Sequence, residues 1–137
     1  MLVGRQAELE RLLEALDAAR RGSGALVLLA GEAGVGKTSL AAELADGSSA
    51  LVLTGRAGRT AAAPYAPIVA ALRSHLRAHP DAFADYGPLR SHLALLLPEL
   101  GDPAPASDTS TVSEAVRSAF AHLCRERHVL LILDDLH

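Results

Sequence analysis

The chain is expected to be an α/β protein, a parallel sheet flanked by helices, and three observations predict it. Apolar runs at Ala25–Ala30, Ala50–Thr54 and Val129–Leu133 are short and continuous, as in strands covered on both faces. Segments with apolar residues every three or four positions separate them, the signature of amphipathic helices. A glycine-rich octet, Gly31–Thr38, lies between the first run and a helical segment. Strands alternating with helices define layered α/β domains with a parallel sheet.

Taken in order, residues 5–20 carry Leu9, Leu12, Leu13, Leu16 and Ala19 on one stripe, with Glu8, Glu10, Arg11 and Glu14 between them. That is a helix, broken by Arg21-Gly22-Ser23-Gly24. The strand at 25–30 and the octet follow. Thr38–Ala45 then reads as a helix ended by Asp46-Gly47, and residues 55–63 read as loop. Pro64-Tyr65-Ala66-Pro67 opens a helix with Ile68, Val69, Leu72 and Leu76 on one face, and Pro80 ends it. Leu89, Leu93, Leu96, Leu97 and Leu100 mark a short helix interrupted at Pro98, and Gly101–Ser110 reads as an exposed connector. Thr111-Val112-Ser113-Glu114 fits a capping box for a helix with Val112, Ala115, Val116, Ala119, Phe120 and Leu123 inward. No internal repeat is present.

With 137 residues, half of them apolar, the chain has room for one domain over 1–137. A net charge of −3 with scattered arginines gives no basic footprint, so no DNA binding is expected from this segment. No apolar run approaches the ~20 residues of a membrane span and no signal-peptide pattern is present. Cys124 is the single cysteine, which excludes an internal disulfide and fits a reducing, cytoplasmic setting.

Lys37 is the only lysine, against twelve arginines. It stands in Gly31-Glu32-Ala33-Gly34-Val35-Gly36-Lys37-Thr38, the pattern G-x-x-x-x-G-K-T. Glycines at these positions let the backbone wrap phosphate oxygens without side-chain bulk, and the helix that follows offers its positive dipole end. Lysine supplies a compact charge for the β- and γ-phosphates, and the Thr38 hydroxyl is an oxygen donor suited to Mg²⁺. Ser39 completes the candidate phosphate-binding set, Gly31 to Ser39. The octet by itself could also be a strand–helix turn that binds nothing.

Leu130-Leu131-Ile132-Leu133-Asp134-Asp135 is the second motif, within 129–135. A carboxylate at the carboxyl end of a parallel strand faces the crevice where open α/β sheets bind ligands. Asp134 is the second candidate Mg²⁺ ligand, and Asp135 the candidate that orients the attacking water. His75 and His79 have metal-compatible spacing but no third ligand in sequence, and read as a solvated face. Cys124 reads as an inert thiol, and Arg56 and Arg59 as solvated loop charge.

With both motifs placed, the chain resembles the N-terminal part of STAND-type P-loop ATPases within the AAA+/ASCE group. It is most similar to the ATPase region of large LuxR-type (MalT-like) bacterial regulators. The resemblance is carried by Leu2-Val3-Gly4-Arg5 with Glu8-Leu9, by the 31–38 loop (Walker A), by Gly55-Arg56 with Pro64-Tyr65-Ala66-Pro67, and by Leu131–His137 (Walker B). It implies ATP and Mg²⁺ as ligands, Val3, Gly4 and Arg5 near the adenine, and self-association through the ATPase domain. It also implies a fold incomplete at the C-terminus, lacking the sensor strand between the two motif strands. Many related ATPases carry Glu where this chain has Asp135, and the shorter acid implies slow turnover, which suits a nucleotide switch. A nucleotide-binding or degenerate interaction module, and a P-loop small-molecule kinase, are the alternatives.

Overall fold

The computed structural model describes residues 3–58 and 63–136. The chain forms two compact units, Met1–Val52 and Leu53–His137, and the boundary falls inside a strand.

The first unit is built from helices α1 (Gln6–Arg20) and α2 (Lys37–Asp46), which pack on each other; Leu12, Leu40 and Leu44 are their buried residues. Leu12 is the one buried residue of α1, and Leu13, expected on the inner stripe, is exposed. Two i,i+3 and i,i+4 contacts, from Arg20 and Arg21 to Asp17, lie at the α1 terminus, where basic charge also complements the helix dipole. α2 begins one residue before the expected start and ends at Gly47, whose N–H donates to the Glu43 carbonyl at 3.1 Å.

The expected strand at 25–30 is not a strand. It belongs to no ladder among the described residues, and Leu26 and Leu28 are 88% and 79% exposed. An apolar run states that a segment needs cover, but strand character requires a neighbouring backbone to complete the hydrogen-bond ladder.

The second unit holds the sheet. Strand β1 (Leu51–Arg56) pairs with β2 (Val129–Asp134) in a parallel, two-stranded ladder. The crossover between them carries α3 (Ala66–Ala78), α4 (Arg90–Leu93), a 3₁₀ turn at Pro98–Leu100 and α5 (Thr109–Leu123). β1 runs two residues past the expected end, through Gly55 and Arg56. Its burial alternates over Leu53 (in), Thr54 (out), Gly55 (in) and Arg56 (out), so one face of it is covered rather than two. Helix α3 lies on the inner side, and Gly55 is where the two meet. A Cβ built there would stand 1.8 Å from the Pro67 carbonyl oxygen and 3.3 Å from the Ala71 methyl.

Beneath the helices, Phe83, Leu72, Leu93 and Leu97 are fully buried and form the centre of this unit, with Ala115, Val116 and Ala119 presented by α5. Arg90 ties the segment together by donating to the Leu100 carbonyl at 3.0 Å and to the Phe83 carbonyl. The stretch expected as a short helix interrupted at Pro98 is α4, which ends earlier, at Leu93, plus a separate 3₁₀ turn. Pro98 starts that turn, because a residue without an N–H is tolerated in the first turn and not beyond it. The connector is not fully exposed either. Ala104 is buried, and its N–H donates to the Ser91 carbonyl at 2.8 Å.

The cap of α5 also differs from expectation. Asp108, not Thr111, is the N-cap, its Oδ1 accepting the Thr111 N–H at 2.7 Å and the Ser110 hydroxyl at 2.9 Å. Glu114 pairs instead with Arg117 one turn on. The Thr111 N–H, and then the Thr111 and Ser110 side chains, hold the Asp108 carboxyl below its ordinary value.

Two predictions follow from this packing. Replacing Gly55 by Ala is expected to cost ~2–3 kcal/mol in denaturant unfolding, because the obstacle is backbone and cannot rotate away. Gly58→Ala, where a methyl meets nothing within 4 Å among the described residues, serves as the neutral control. For Asp108, a depressed folded pKa means stability that is present above the ordinary carboxylate range and is lost as pH falls through the lower folded value. α5 should therefore fray on acidification below about pH 4, seen by amide exchange at 109–113, and Asp108→Ala should flatten that acid limb.

Candidate functional site

The 31–38 octet takes up the backbone its glycines allow. Gly34 and Gly36 have φ of 81° and 87°, left-handed values that cost a residue with a Cβ about 1–2 kcal/mol each. Gly36 is the N-cap of α2 and, being glycine, offers no side chain to cap the first turn. The positive dipole end of a helix favours an anion, so the opening turn of α2, Lys37 to Ser39, is suited to phosphate. Thr38 and Ser39 are exposed in that same turn. At Gly31 a Cβ would approach Val35 Cγ2 to 3.1 Å.

Lys37 folds back over the octet. Its Nζ donates to the Gly31 carbonyl at 2.6 Å and to the Glu32 carbonyl at 2.8 Å, closing the loop into a ring with the ammonium at its mouth. These charge-assisted bonds hold the loop's entry against its exit. Val35 N–H adds a long 3.5 Å contact to the Glu32 carbonyl, and Leu40 N–H bonds the Gly36 carbonyl at 2.9 Å as α2 begins.

In the second unit the ladder places Asp134 at the last position of β2 and Arg56 at the last position of β1, side by side at the carboxyl edge. The Ala57 N–H donates to the Asp134 carbonyl at 3.3 Å, continuing the register one residue past β1. Arg56 Nη2 donates to Asp134 Oδ2 at 3.2 Å, while the Asp135 N–H donates to Asp134 Oδ1 at 3.0 Å. Asp135 adopts a left-handed φ of 55°, which Asp tolerates better than most residues, and its side chain is exposed.

Arg56 is expected from sequence as solvated loop charge; its side chain is 63% exposed, as expected, but it stands in a strand and not in a loop. Arg56 ends a strand and meets the acid of the second motif. No local pattern marks this, because the two residues are 78 positions apart and only strand register joins them. The one available signal was Gly55-Arg56 directly after an apolar run. Arg59 and His137 lie outside the described residues.

Val3 and Gly4 form an exposed turn, with Gly4 at φ 81°, and Arg5 is the N-cap of α1. Leu2 lies outside the described residues. His75 and His79 stack with ring centroids 4.7 Å apart, and no group of three metal-ligating side chains occurs among the described residues. Burial, and then the neighbouring His79, lower the His75 pKa. Cys124 caps the end of α5 and is exposed.

Each unit carries donor chemistry of its own. In the first, glycine backbone, a helix start and an ammonium suit phosphate and the Thr38 hydroxyl is an oxygen donor; in the second, the Asp134 carboxylate is the kind of ligand a hard cation takes.

A small parallel two-stranded sheet flanked by helices is consistent with an α/β, P-loop-like fold. Comparison with known families agrees: the family model described as AAA ATPase domain matches residues 1–137. The chain belongs to that family. No curated protein and no solved structure gives a significant match. No helix among the described residues is long and apolar enough to cross a membrane.

The ring closed by Lys37 yields a test in the nucleotide-free protein. Lys37→Ala should speed amide exchange across residues 32–36 by about tenfold, the effect of losing charge-assisted bonds of ~1.5 kcal/mol, with α3 and α5 unchanged. Unaltered exchange in the loop would mean that Lys37 does not organise it.

Proposed function

We propose that this domain binds ATP with Mg²⁺ and hydrolyses it slowly, as the nucleotide switch of a signalling or transcription regulator. The observation that carries the reading is the octet. Gly34 and Gly36 in left-handed conformations lead into an uncapped helix start, with the Lys37 ammonium held over the loop. Membership of the AAA ATPase domain family supports the same reading.

In this proposal residues Gly31 to Ser39 surround the phosphates. Lys37 exchanges its carbonyl partners for β- and γ-phosphate oxygens, which offer it full negative charge in place of carbonyl dipoles. The Thr38 hydroxyl and the Asp134 carboxylate are the protein's oxygen donors to Mg²⁺. When bound, that ion neutralises charge building on the phosphate oxygens. Asp135 orients the attacking water, and its short side chain supports slow turnover. Val3, Gly4 and Arg5 are assigned to the base by resemblance. The regulator role, with self-association through the domain, rests on similarity to LuxR-type ATPase regions. Slow hydrolysis suits a switch because the bound nucleotide then persists as the signal.

Titration with Mg-ATP is the direct test. Lys37→Ala should weaken binding about 10–100-fold, the range expected for losing one or two charge-assisted bonds to phosphate. Equal affinity in the two proteins would remove the phosphate role of Lys37. Binding without phosphate release would favour the non-hydrolysing module over the ATPase.

A further inference from the structure

Asp134 meets a positive charge of the chain's own. Its side chain is 23% exposed, and both carboxylate oxygens have protein donors: the Asp135 N–H on Oδ1 at 3.0 Å and Arg56 Nη2 on Oδ2 at 3.2 Å. The first donor is backbone and is fixed by the turn after β2. The second is the tip of a long side chain that is itself 63% exposed.

The form of this pair decides what it can do. Arginine binds carboxylate most strongly through two parallel N–H bonds. Here a single guanidinium nitrogen reaches a single oxygen, at the long end of the normal range, beside solvent. Such a pair contributes little to stability. It does neutralise a part-buried carboxylate, and it sets a cation against Oδ2. A divalent cation brought to Asp134, directly or through water, meets that guanidinium as a like charge.

We propose that Arg56 is the resident counter-ion of Asp134 and is displaced when a divalent cation binds, so that Arg56 sets the cation concentration the domain requires. The proposal rests on the reading of Asp134 as a cation-binding acid. It adds a residue of opposite effect: Arg56 opposes the loading that Asp134 promotes. Because the pair is weak and exposed, displacement is easy and the competition is shallow. Arg56 therefore tunes loading within the range of ordinary cation supply and does not forbid it.

The test uses Mn²⁺ as the probe, added to the full chain in the presence of a non-hydrolysable ATP analogue and read by loss of the free-Mn²⁺ EPR signal. Arg56→Gln should tighten Mn²⁺ binding about two- to fivefold, the range set by the strength of an exposed ion pair. Arg56→Lys, which keeps the charge, should stay near the parent value. Asp134→Asn should weaken binding in either background and erase the difference between Arg56 and Gln. If Asp134→Asn weakens binding while Arg56→Gln equals or falls below the parent, the counter-ion role is overturned and the acid's role stands. If Asp134→Asn leaves Mn²⁺ affinity unchanged, the cation role of Asp134 fails and the proposal fails with it. The thermal unfolding midpoint of each variant separates a folding defect from a binding one.

Discussion

The carboxyl edge of the sheet depends on close approach between one helix and one strand. Helix α3 presses its first turn onto β1 at Gly55, leaving no space for even a methyl group. That contact covers the inner face of β1, where Leu53 is buried, and leaves Thr54 and Arg56 on the open face. With β1 so oriented and paired to β2, Arg56 and Asp134 end adjacent strands at the same level. The ion pair at the edge is thus a consequence of packing at the residue just before Arg56. A side chain at position 55 would have to move either the helix or the strand, and with it the partner of Asp134.

The octet obeys a different constraint, one that is local. Positive φ at Gly34 and Gly36, the abrupt start of α2 and the reach of Lys37 back to the Gly31 and Glu32 carbonyls all lie within eight residues. Nothing distant is required to make that shape. Short-range backbone preference and one charge suffice, which is why a sequence pattern can identify such a loop at all. A lysine held only by carbonyl oxygens can exchange them for stronger acceptors.

The two motifs therefore differ in how far the sequence could be read. The glycine loop, the helix after it and the acid at the end of an apolar run were legible, because each rests on residues adjacent in the chain. The partner of Arg56 was not legible, because it depends on a strand paired across 78 positions. The α5 cap was placed three residues late, because Asp108 and Thr111 are both good cap residues. The bond made decides between them: Asp108 Oδ1 accepts the Thr111 N–H at 2.7 Å, which puts Thr111 inside the helix.

The apolar run at 25–30 marks the limit of periodicity. Its composition demanded cover, yet Leu26 and Leu28 are exposed and no ladder forms among the described residues. By itself the sequence determined the glycine-loop geometry, most helical segments and the positions of the two acids, since these follow from backbone freedom and local apolar spacing. Tertiary structure alone decided which runs became strands, which face of β1 was covered and which cation stands beside Asp134. Those outcomes require two distant segments to meet, and a strand has no hydrogen-bonded existence until its neighbour arrives.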